Sequence, residues 1–128
     1  MTENAQNPAA TNPTNPDTSA LEPAFTGWKM YNHIHFIIDN LPLSTYEQAI
    51  QDKFQDISQR CADMCATSAL MQVPAICSRN SALMNLETAV GIIEPLGEQL
   101  QASPCLQVAS YAQFIINPCK DLEKVYSS

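Results

Sequence analysis

From Phe54 onward, apolar side chains recur in steps of three and four: Phe54, Ile57, Cys61, Met64 and Met71, with Ser68 filling the one gap. Tyr46 and Ile50 extend the series backward. Gln48, Gln51, Asp52, Gln55, Asp56, Gln59, Arg60 and Asp63 occupy the intervening positions. A period near 3.6 with polar residues opposite is the signature of an amphipathic helix, here spanning about residues 45–72. Ser44 and Glu47 have the S-x-x-E spacing of a capping box, which predicts a start at the serine. Pro74 then lacks the amide a helix needs and ends the element.

The three-four pattern resumes at Leu83, Leu86, Val90, Ile93, Gly97 and Leu100 and predicts a second helix over 81–101. Ser78 or Asn80 is positioned to cap it. Pro95 falls inside this stripe and should kink or split the helix, while Gly97 on the stripe permits close approach of a neighbour. Two such helices joined by a short loop predict an antiparallel αα-hairpin. In "SPCLQ", Ser103 as cap and Pro104 at the first helical position predict a third start. Val108, Tyr111, Ala112 and Ile115 line one side of it. Pro118 should end or bend it, leaving a short last helix with Leu122 and Val125 facing inward.

Residues 28–38 read two ways. As a strand, Trp28, Met30, Ile34, Phe36 and Ile38 share a face. As a helix capped by Thr26, the stripe is Met30, Tyr31, Ile34, Ile37, Ile38 and Leu41, with Phe36 off it. Aromatic and β-branched content favours the strand. A single strand, however, finds no convincing partner elsewhere in the chain, which tips the reading to helix. Residues 1–27 carry Pro8, Pro13, Pro16 and Pro23 with interspersed asparagines and few large apolar groups. Such a segment buries too little to offset its ordering entropy and predicts a disordered arm. The expected protein is therefore mainly α: an arm, then one helical domain over 28–128, a four- to five-helix bundle built on the hairpin.

Composition agrees with helix, with only three glycines among 128 residues. The net charge of −7 leaves no basic patch for phosphate neutralisation, so direct nucleic-acid binding is not expected. No stretch of about 20 apolar residues is present for a membrane span. The N-terminus lacks the basic and apolar regions of a secretory signal, so a cytoplasmic location is expected. Five cysteines, an odd number, without a C-x-x-C, argue against a disulfide framework.

Candidate chemistry is sparse. The chain's two histidines, His33 and His35, form an H-x-H in "YNHIHFIID", and "CADMC" sets Cys61 and Cys65 one helical turn apart. Together they are the candidate ligands of a metal or thiol site. On a helix, however, the histidines lie about 200° apart and cannot share one ion. No glycine-rich phosphate loop, nucleophile elbow or cofactor motif occurs. The leading expectation is a non-enzymatic protein that binds a protein partner or itself. Trp28, Phe36, Phe114 and Ile116 are its candidate interaction residues, because they fit their segments' main stripes poorly. A further alternative is an acidic inhibitor that presents Asp52, Asp56, Asp63, Glu87, Glu94 and Glu98 to a basic site.

Overall fold

The computed structural model describes residues 18–73 and 77–127. Four helices follow in order: α1 (Leu21–Asp39), α2 (Gln48–Met71), α3 (Arg79–Gln101) and α4 (Leu106–Tyr126), with a 3-10 turn at Leu43–Thr45 before α2. The mainly α expectation holds, and 28–38 is helix; no strand occurs among the described residues.

Helix α1 begins seven residues before the expected domain boundary and buries Pro23, Ala24 and Gly27, all assigned to the arm by sequence. Pro23 is tolerated because the amides of a first turn have no intrahelical acceptor to lose. Thr26 is therefore not a cap; its hydroxyl donates to the Glu22 carbonyl within the helix (2.9 Å). The rest of the expected arm, to residue 17, lies outside the described residues, as does Pro74.

The capping box does not form. Leu43–Thr45 turns instead, with the Thr45 hydroxyl on the Pro42 carbonyl (2.6 Å), and α2 starts after Glu47. Tyr46 explains the shift. Its extended backbone sets its ring 6.1 Å from that of Phe54 and its hydroxyl on Gln107 at the start of α4 (2.9 Å). Tertiary anchoring overrides the local cap.

Ser78 does cap α3, accepting from the Ser81 amide at 3.2 Å. Pro95 sits inside a continuous α3. The carbonyl deprived of its bond is that of Gly91, and both residues are exposed, so water can solvate it. Likewise α4 runs unbroken through Pro118, where two elements were expected, and it starts after Cys105 rather than at Ser103. Val108, Ala112, Ile115, Cys119 and Leu122 form one buried stripe across the proline. Burying that stripe outweighs the roughly 3 kcal/mol cost of an interior proline.

Contacts fix the directions. Trp28 meets Cys65 and His35 meets Ser58, so α1 and α2 are antiparallel. Glu94 meets Lys120 and Gln101 meets Gln113, so α3 and α4 are too. Glu22 pairs with Arg79, and Gly27 lies against Leu86, so α1 and α3 run parallel. The result is an up-down-up-down bundle. Its tightest pairs are α1 with α2 and α3 with α4; the expected α2–α3 hairpin packs more loosely. Gly97 explains part of this, since a methyl there would lie 3.1 Å from Ile116 and 3.3 Å from Ile115.

Gly27 and Gly91 make opposite predictions. A β-carbon on Gly27 would lie 2.6 Å from the buried Leu86, whereas one on Gly91 meets nothing within 4 Å among the described residues. Gly27→Val should destabilise the fold by about 1–3 kcal/mol. Gly91→Ala should stabilise it by about 0.5–1 kcal/mol through lower chain entropy in the unfolded state. Urea midpoints of the two variants check both signs.

Candidate functional site

Helix α1 is apolar on two faces. One carries Ala24, Gly27, Tyr31, Ile34 and Ile38 into the core. At about 100° per residue, Phe25, Lys29, Asn32 and Phe36 lie together on the opposite side, with Trp28 at its edge. Phe25, Trp28 and Phe36 are 45%, 38% and 67% exposed. The rings of Phe25 and Trp28 stack at 5.9 Å with 16° between planes. The Lys29 ammonium stands 4.8 Å over the Phe25 ring, a cation–π arrangement.

The polar side chains of this face turn back on their own helix. Asn32 donates to the Trp28 carbonyl (3.0 Å) and Asn40 to the Phe36 carbonyl (2.8 Å). What projects into solvent is therefore largely aromatic, with Lys29 as the formal charge between Phe25 and Phe36 and the exposed His33 at the edge opposite Trp28. Glu22 and Asp39 lie beyond the two ends of the stripe. In a chain of net charge −7, this is a nearly neutral strip.

Of the four sequence-nominated residues, Trp28 and Phe36 fall on this face. Phe114 is exposed on α4, in a tilted pair with Tyr111 at 6.4 Å. Ile116 is a correction: it is 3% exposed and faces Gly97 in the α3–α4 seam. Phe25 was missed because the proline-rich composition around it placed it in the arm. The spacing 25, 28, 36 would have found it.

The other two candidate sets do not assemble. His33 is exposed, and on α1 it lies about 200° around the helix from His35. His35 is half-buried, with Nδ1 2.7 Å from the Ser58 hydroxyl and Nε2 3.6 Å from the Asp39 carboxylate. Cys61 is buried, while Cys65 lies at the α1–α2 seam with its thiol 3.9 Å from the Trp28 carbonyl. Among the described residues no three His, Cys, Asp or Glu side chains are grouped to hold a metal ion. Burial pushes the Cys61, Cys65 and Cys119 thiols up, Cys119 to about 12, so they stay protonated and poorly nucleophilic at neutral pH.

The acidic residues also diverge. Asp52, Asp56 and Asp63 line the outside of α2 and bond Gln48, Arg60 and Gln59. Glu94 is instead tucked against α4, 3.5 Å from the Lys120 ammonium. Burial, then the neighbouring Glu123, raises its carboxyl above the usual range. Asn85, about 200° around α3 from Glu87, meets Met64 of α2. The carboxylates of α3 therefore point away from those of α2 and do not form one acidic face.

A cavity of about 220 Å³ opens where the α1–α2 and α3–α4 connections meet, lined by Tyr46, Glu47, Ile50, Ser103 and Cys105 among others. It is smaller than the roughly 300–1,000 Å³ of typical small-molecule sites. No described helix is long and apolar enough to cross a membrane. Comparison of the chain with family models, curated proteins and solved structures gave no match.

Proposed function

We propose that the chain is a non-enzymatic interaction protein that docks a protein surface on the outer face of α1. The observation that carries this reading is the exposed stack of Phe25 and Trp28, continued by Phe36, on a helix whose other face already fills the core. Aromatic rings dominate binding energy at protein interfaces because they bury large area with little conformational entropy to lose. The two asparagines of the strip are satisfied by their own helix, so docking does not strand their amides.

Trp28 is the chain's single tryptophan, so its fluorescence reports directly on this face. A photoreactive side chain at position 36 should give cross-linked protein adducts, while one at the exposed Leu70 of α2 should not. Trp28→Ser in the same chain should cut the adduct yield at position 36 about tenfold or more, the loss of one anchoring ring. Equal labelling from positions 36 and 70, or none from either, would remove the stripe as a docking face.

A further inference from the structure

We infer that the occupant of the α1 stripe is a second copy of this chain, laid antiparallel across it with the two-fold axis at Asn32. The inference rests on the docking reading above and adds the partner and the register. In this arrangement residues equally far before and after position 32 face each other. Trp28 of one copy therefore meets Phe36 of the other, twice, and each exposed ring finds a ring. Phe25 comes opposite Asp39.

Charge selects this register. The Lys29 ammonium leans back over the Phe25 ring and so stands level with position 25. The antiparallel pairing brings Asp39 of the second copy, whose carboxylate is exposed, to the same level. Two symmetric Lys29–Asp39 contacts then flank the aromatic centre. A parallel pairing would set Lys29 against Lys29 and Asp39 against Asp39, which is repulsive. The remainder of an acidic surface would repel a second copy, and the neutral strip of α1 is where two such molecules approach at least electrostatic cost.

The small stripe points to weak association. Three partly exposed rings per copy on a stripe about 17 Å long make an interface at the low end of the size range for specific complexes. A reversible dimer with a Kd on the order of 10–100 µM is the expected result, its strength set by how well the four central rings pack. It is isologous and closed, so association should stop at two.

The test is sedimentation equilibrium of the full chain from low micromolar to about 0.5 mM, with Trp28 emission followed on the same samples. The expected result is a monomer–dimer equilibrium and a blue shift of emission that tracks the dimer fraction. Lys29→Asp and Asp39→Lys should each weaken the dimer about tenfold or more, and the double reversal should restore most of the affinity. All three variants change exposed side chains, and unchanged helical circular dichroism confirms that they fold. A monomer throughout the range would overturn the inference, as would a dimer indifferent to both reversals or one not recovered by the double variant. If the chain is monomeric while position 36 still cross-links to another protein, the second copy is excluded and the docking face stands. If position 36 gives no adducts either, both fail.

Discussion

In native buffer at pH 8, Cys61 and Cys119 should resist alkylation about a hundredfold or more compared with a thiol of ordinary acidity. The reacting species is the thiolate. Burial, followed by the nearby carboxylates of Glu94 and Glu123, lifts the Cys119 thiol from 9.0 to about 12, a thousandfold drop in thiolate at a given pH. Cys61 is pushed in the same direction by burial and by Cys65 and Cys119. The greater nucleophilicity of a less acidic thiolate offsets part of that drop, but both side chains are also sealed from reagent, at no more than 1% exposure, which slows them further. Cys105, exposed at the start of α4, should react first. Timed iodoacetamide labelling with peptide mapping reads each site, and urea should bring all five cysteines to similar rates. The same experiment bears on the thiol reading of His33, His35, Cys61 and Cys65, which requires unusually fast thiols. Cys61 labelled as quickly as Cys105 in native buffer would contradict the packed core and reopen that reading.

The bundle's inward stripes were legible because they depend on one helix at a time. Leu86, Val90, Ile93, Gly97 and Leu100 recur at helical spacing and are all buried in α3. Even Ser68, the odd member of the α2 stripe, is buried there. Pairing was not legible, because it depends on fits between helices, such as Ile115 and Ile116 over Gly97. The same limit explains the mixed outcome for the interaction residues. Trp28, Phe36, Phe114 and Ile116 all sit off their segments' main stripes. That criterion cannot distinguish a solvent face from a second packed face. In α1 the off-stripe rings meet water; in α4 Phe114 does too, while Ile116 meets α3. Proline carried a similar ambiguity. Pro95 and Pro118 each remove one hydrogen bond, but whether that breaks a helix depends on how much apolar surface the continued helix buries.

Phe54→Ala should cost about 3–5 kcal/mol, whereas Tyr31→Phe, at a comparably buried site, should be neutral or stabilising by about 1–2 kcal/mol. Phe54 is fully buried, and its ring meets Tyr46 and the centre of the core. Truncation loses transfer free energy and leaves a cavity that helices anchored on all sides close only in part. Against a typical total stability of about 5–15 kcal/mol, that loss leaves a marginal fold. Tyr31 differs in kind. Its ring is packed, but its hydroxyl is buried without a hydrogen-bond partner among the described residues. Burial, and then the neighbouring Cys61, Cys119 and Cys65 thiols, push the phenol's proton affinity up, so the group stays neutral and gains nothing by ionising. Phenylalanine keeps the ring and removes an atom desolvated for no return. Ser68, whose buried hydroxyl likewise finds no partner among the described residues, should respond to Ser68→Ala with the same sign. Urea unfolding at constant m-value separates the cases. A loss above about 1 kcal/mol in Tyr31→Phe would mean that the hydroxyl is bonded in solution. The thiols around it would then be the first candidates for that bond, and the centre of the bundle would be a polar junction rather than an apolar one.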